Sequence, residues 1–221
     1  MNINYEFKNK ELLKTALTHI SLANEKGIES NQRLEFLGDS ILSFVVAEYI
    51  YGEFKNLDEG KLTEVRAGAV CEKSLAKVAE KMGLGEAVVF GKSEINCNGN
   101  KKPSILCDTY EAVLGAIYLD SGLEAAKKWI MWNLKDTIEA AQHMDFKNYK
   151  SDIQSYFQKR DKNREVVTYA LVSRTGPDHA PVFEVNAVYQ GKIIGTGKGT
   201  NRKTAETAAA KQALERIEGK E

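Results

Sequence analysis

Four acidic side chains stand where carboxylates are costly. In NQRLEFLGDSIL, residues 31–42, Glu35 and Asp39 are four positions apart, and in SILCDTYEAVLGAIYL, residues 104–119, Asp108 and Glu111 are three apart. On a helix either spacing puts both acids on one face. A glycine accompanies each pair, Gly38 in the first stretch and Gly115 in the second, where a backbone can be approached closely. The flanks are apolar: Leu34, Phe36, Leu37, Ile41 and Leu42 in one, Ile105, Leu106, Val113, Leu114 and Ile117 in the other. A buried carboxylate must meet a base, take up a proton or bind a cation. Residues 34–54 and 103–126 contain no Lys or Arg, so neither stretch carries its own counter-ion, although a base can arrive from elsewhere in the fold. Two such helices packed face to face would cage a hard cation, Mg²⁺ or Mn²⁺, with oxygen alone. The plainer reading, acids at solvated helix edges, stays open at this point, because charged side chains are mostly exposed.

Other chemistries have little support. His19, His143 and His179 are scattered and form no Ser–His–Asp or Cys–His set. Cys71, Cys97 and Cys107 are odd in number and make no CxxC pair, which indicates buried or idle thiols rather than a disulfide framework or zinc site. GTGKGTNRKTAE, residues 195–206, follows a strand pattern and opens a helix, but its glycines match neither dinucleotide nor Walker spacing. Glycine between tight strands is the simpler account.

Leu12, Leu13, Ala16, Leu17 and Ile20 recur at helical spacing, as do Leu62, Val65, Ala69 and Val70, then Leu75, Val78, Ala79 and Met82 before a stop at Gly83–Gly85. The helix through 34–50 is apolar in nearly every direction, the pattern of a buried helix with more apolar faces than a small monomeric domain readily covers. AVVFG at 87–91 is the one strand signal in this half. A helix starting near Pro103 stops at Ser121–Gly122, and another carries Trp129, Ile130, Trp132 and Leu134. From Tyr149 the texture changes to a short amphipathic helix, three β-rich segments and an Ala-rich helix. The expected fold is an all-α domain over residues 1–144 followed by a small α+β domain, order α-β-β-β-α, over 149–219, joined by HMDFKN at 143–148.

Net charge is zero over 221 residues, but unevenly. Residues 1–147 hold 18 Lys and Arg against 22 Asp and Glu, a balance of −4; the remaining 13 against 9 give +4. A basic tail suits an anionic partner. No run of eighteen apolar residues appears, and MNINYEFKNKELLKTALTH lacks the order of a secretory signal, so a soluble, cytoplasmic protein with no membrane partner is expected.

NQRLEFLGDSIL resembles the nine-residue signature of the ribonuclease III family. The likeness extends through EGKLTEVRAGAVCEKSLAKVA (59–79) and KPSILCDTYEAVLGAIYLDSG (102–122) to a C-terminal segment similar to a double-stranded-RNA-binding domain. The resemblance implies a Mg²⁺-dependent endonuclease, with Mn²⁺ as a substitute, that cuts double-stranded RNA as a homodimer, one strand per active site. Its products would carry 5′ phosphates and short 3′ overhangs, its roles would include rRNA and mRNA-precursor processing, and no small-molecule cofactor is expected. It also implies that Glu35, Asp39, Asp108 and Glu111 hold the metal, with Asp39 and Glu111 catalytic. Many members carry Glu where this chain has Gln32; that position and the one matching Glu59 are expected near the RNA, and Gln32 keeps an oxygen but loses the charge.

In the tail, a duplex reader must touch 2′-hydroxyls in two minor grooves and the phosphates between them. Gln154 and Gln158 on the first helix are candidates for ribose, Pro177 and His179 in GPDHAP for a second minor groove, and Arg202 and Lys203 at the last helix for phosphate. The alternative from another class is a duplex-RNA-binding protein whose helical domain is catalytically idle. The two separate at the four acids, which a binder has no need to keep together.

Overall fold

The computed structural model describes residues 1–95, 98–143, 148–160, 165–177 and 179–219. Cys97 and residues 144–147 of the expected joint lie outside them. Contacts divide the chain into two compact units, Met1–Phe146 and Lys147–Glu221.

The first unit is helical among its described residues. Helix α1 (Lys10–Ala16) is capped by the Asn9 side chain, and α2 (Ile20–Lys26) starts at His19. Here the apolar spacing of residues 12–20 predicts one helix where the structure has two. The break serves a tertiary link: Thr18 forms an isolated parallel bridge with Val89, and the Thr18 hydroxyl donates to the Lys14 carbonyl at 2.8 Å. That bridge is all that AVVFG contributes as β-structure. Helix α3 (Gln32–Glu53) carries the first acid pair, followed by α4 (Glu59–Val70), α5 (Glu72–Lys81) and the single turn α6 (Lys92–Ile95). Helix α7 (Pro103–Gln142) starts with proline, whose missing N–H costs nothing at a first turn, and carries the second pair. At Gly122 its backbone leaves the helix, φ 79° and ψ −175°, at the expected stop. Such a conformation is open essentially to glycine alone.

The core lies between α3 and α7. Leu42, Val46, Leu114 and Ile117 are inaccessible, each contributing roughly 1.5–3 kcal/mol by burial. The N-terminal segment is strapped to α7. Asp120 accepts from the Tyr5 hydroxyl at 2.6 Å and from the Lys8 and Asn9 N–H groups at 3.0 and 2.8 Å, while the Trp129 indole donates to the Ile3 carbonyl at 2.7 Å. The expectation that α3 is buried all round is corrected: Phe36, Phe44 and Tyr51 are 76, 54 and 77% exposed. Leu34, Gly38, Ile41, Leu42, Val45, Val46 and Ile50 use up the side that the unit covers.

The second unit runs α8 (Tyr149–Arg160), β1 (Thr168–Thr175), β2 (Val182–Tyr189), β3 (Lys192–Gly199) and α9 (Arg202–Glu218), with an antiparallel sheet ordered β1-β2-β3. Helix α8 buries Ile153 and stacks Phe157 on Tyr189 with ring centroids 3.9 Å apart. The glycines of β3 correct their reading from sequence. They face α9 rather than a neighbouring strand: a methyl on Gly195 or Gly197 would strike the main chain at Ala209.

Candidate active site

Helices α3 and α7 touch backbone to backbone where the acids are. A Cβ on Gly38 would overlap the Glu111 carbonyl oxygen, and one on Gly115 would overlap that of Leu34. The glycines thus bring the Glu35–Asp39 pair against the Asp108–Glu111 pair. Glu35, Asp108 and Glu111 are half-buried, and Asp39 is exposed.

The crowding acts on Glu111, Glu35 and Asp108. Burial, then the charges of Asp39, Asp108 and Glu35, push the Glu111 carboxyl up to about 7. Glu35 is raised by burial and by Asp108 and Asp39; Asp108 is raised by burial and by Glu72, with His19 opposing. Among the described residues no Lys or Arg pairs with any of the four, as the ion pairs present all involve other acids. An oxygen-rich group lacking a counter-ion fits a hard divalent cation.

The tightest set includes a residue that sequence reasoning left idle. Ligand atoms of Cys107, Asp108 and Glu111 all lie within 4.8 Å of one another, and the Cys107 thiol donates to Glu111 Oε1 at 3.8 Å. Burial and adjacent acids raise this thiol well above its ordinary value, so it stays protonated. Glu35 and Asp39 stand outside that set, across the helix contact. Glu72 and His19 were also missed. Glu72 opens α5, distant in sequence from either acid pair. His19 Nδ1 lies 2.9 Å from the Ser21 hydroxyl and 3.3 Å from the Ser21 N–H, which holds the ring at the start of α2. Nothing in their spacing marks either residue.

Gln32 and Glu59 are not brought together within the chain. Gln32 opens α3 and lines a groove of about 670 Å³ with Leu12, Arg33, Phe36 and Leu119. Glu59 opens α4, accepts from the Thr63 hydroxyl at 3.4 Å, and lines another of about 700 Å³ with Phe44, Tyr51 and Arg66.

In the second unit Gln158, Pro177 and His179 are exposed, the last two in the β1–β2 loop. Gln154 is committed to the fold: its amide donates to the Glu165 carbonyl at 3.2 Å and accepts the Val167 N–H at 2.8 Å. One N–H and one lone pair remain for a ligand. Arg202 and Lys203 are exposed on the first turn of α9. There a capping box between Asn201 and Thr204 already engages the Thr204 N–H.

A helical unit with an unbalanced acid group, followed in the chain by an α-β-β-β-α unit with a basic helix end, has the make-up of an endonuclease for duplex RNA. Residues 9–138 match the family model "Ribonuclease-III-like", and residues 149–217 match "Double-stranded RNA binding motif". Ribonuclease 3 of Syntrophomonas wolfei is 44% identical over 95% of this chain and 89% of its own length. Ribonuclease 3 of Caldanaerobacter subterraneus is 44% identical over 97% and 95%. A solved structure of the ribonuclease III nuclease domain from Campylobacter jejuni, described for flexibility in a region involved in dimer formation, matches at 44% identity with TM-score 0.58, covering 61% of this chain and 92% of that one. The chain belongs to the ribonuclease III family, whose members are double-stranded-RNA endoribonucleases dependent on a divalent metal. No described helix is long and apolar enough to cross a membrane.

Proposed function

We propose that this protein hydrolyses phosphodiester bonds of double-stranded RNA as a cytoplasmic homodimer, using Mg²⁺, with Mn²⁺ as a substitute, held by Glu35, Asp39, Asp108 and Glu111. Products carry 5′ phosphates and short 3′ overhangs, and rRNA and mRNA precursors are the substrates. Residues 1–144 form the nuclease domain and 149–219 the RNA-binding domain. The carrying observation is the acid group on two touching helices with no basic partner among the described residues. A cation held there would offset phosphate charge and lower the pKa of its water. The chain's own groups do the placing. Half-buried Glu111 and Asp108 would hold the cation from below, and Asp39, the exposed member, would face the attacking water and the scissile phosphate. Gln158, Pro177 and His179 meet ribose, with the remaining valences of Gln154, while Arg202 and Lys203 meet phosphate. Gln32 and Glu59 flank the cleavage site. Dimerisation is supported by the uncovered Phe36, Phe44 and Tyr51.

The test is Glu111→Gln, which removes one ligand charge at nearly constant shape. Cleavage of a labelled duplex in Mg²⁺ should fall by roughly 10²–10³-fold, the usual cost of losing one electrostatic stabiliser, while duplex affinity in EDTA stays at the wild-type value. Cleavage at the wild-type rate would remove Glu111 from the site. Intact RNA with the wild-type protein in Mg²⁺ would leave only the binding reading.

A further inference from the structure

Two cations from different helices of the second unit end on one carboxylate. Lys150 lies in the first turn of α8 and Arg202 in the first turn of α9. Lys150 Nζ is 2.7 Å from Glu206 Oε2, and Arg202 Nε is 2.9 Å from Glu206 Oε1. Each oxygen therefore holds one cation. The Glu206 side chain is 14% exposed, whereas those of Lys150 and Arg202 are 38 and 60% exposed, so the acid is set beneath the bases. The Lys150 ammonium also lies 4.5 Å from the centroid of the Tyr169 ring on β1, whose hydroxyl is buried without a hydrogen-bond partner. The ammonium is fixed from two sides, by a carboxylate and by a ring face. Arg202 is bound through Nε and its side chain is 60% exposed, and a guanidinium held by that edge can offer its two terminal nitrogens as a pair to phosphate oxygens.

We propose that Glu206 is a positioning residue for duplex RNA, holding Lys150 and Arg202 as one clamp on a single stretch of sugar–phosphate backbone, with Lys150 itself a phosphate contact. The inference rests on the reading of this unit as a duplex-RNA reader. An acid beside a polyanion site is an electrostatic handicap, since the Lys150–Glu206–Arg202 group carries +1 with Glu206 and +2 without it. A carboxylate in that place is useful only if fixing two long, flexible side chains outweighs the charge it cancels. Charge and positioning therefore predict opposite signs for its removal.

The experiment measures binding of the full chain to an RNA duplex of roughly 20 base pairs, longer than the ~16 that such a fold spans, in EDTA across a salt series. Glu206→Gln should weaken binding severalfold, with the salt slope retained because both cations persist. Lys150→Met should lower the slope by about 0.9, one phosphate's share of counter-ion release. In the Lys150→Met/Arg202→Met background, Glu206→Gln should no longer weaken binding. Tighter binding by Glu206→Gln, an unchanged slope for Lys150→Met, or equal weakening in the double background would each overturn the proposal; the last would mean that Glu206 serves only the fold. If the wild-type chain binds no duplex, the reading beneath the proposal fails as well, and that result is distinguishable from the other three.

Discussion

Glu111 and Glu206 are the same residue in opposite company. Around Glu111 stand Asp39, Asp108 and Glu35, and its carboxyl is raised to about 7; around Glu206 stand Lys150 and Arg202, and its carboxyl is lowered, first by the Lys150 hydrogen bond. Both sit on helices that approach a neighbouring backbone over glycine, so packing does not separate them. The distribution of bases does. Residues 103–126 contain none, whereas α9 begins with two. A carboxylate left without a counter-ion is a site for one, and a carboxylate supplied with two becomes a brace.

The contrast is broken most severely at the backbone. Gly38→Ala drives a methyl into the Glu111 carbonyl, and overpacking of this kind costs about 1–3 kcal/mol. Because it also displaces the two acid pairs, cleavage should drop about 100-fold, the cost of a misplacement near 1 Å. Gly197→Ala makes an equivalent clash under α9. It should depress the melting of the second unit and its RNA affinity, while Mg²⁺ still raises the melting temperature of the first. Calorimetry with and without Mg²⁺ distinguishes the two. A Gly38→Ala enzyme cutting at full rate would show that the helix contact does not set the acids.

The units also differ in what they leave uncovered, and α3 carries the aromatic stripe. Phe36→Arg places a charge in it, and for the proposed homodimer sedimentation should move from twice the 24.6 kDa chain mass toward one. An unshifted boundary would exclude Phe36 from the interface.

The pH dependence of stability is the most diagnostic. Glu111 has a folded pKa near 7 against an ordinary 4.5, so between these values the folded state holds a proton that the unfolded state has lost. Stability of the metal-free protein should therefore fall as pH rises from 4.5 to 7, by up to about 3 kcal/mol before solvent screening, and level off above. Glu206 works the other way: its contribution is complete above the ordinary Glu value and is lost as pH falls through its lowered folded value. Melting curves of Glu111→Gln and Glu206→Gln against pH should flatten opposite limbs; the same limb in both would refute the contrast.

How much of this was legible in the sequence depends on whether a signal is local. The acid pairs, their glycines, the stop at Gly122 and the α-β-β-β-α order all follow from spacing along one element. The break between α1 and α2 does not, because it answers to Val89, seventy residues away. Nor do Cys107, Glu72 and His19, which join the site through packing between elements. The Gln154 amide looked free because its backbone partners lie beyond the end of its own helix. The role of the β3 glycines was hidden because α9 had to be laid on the sheet first.

One residue sets the scale of the whole first unit. Forty residues of unbroken helix would form a rod of about 60 Å, well beyond the span of a body of some 146 residues, whose radius of gyration is roughly 15 Å. By interrupting that rod, Gly122 lets Trp129, Ile130, Leu134 and Ile138 return to the same oily interior as Leu114 and Ile117. Any side chain at this position would force a choice between a strained joint and a hydrophobic tail jutting into water.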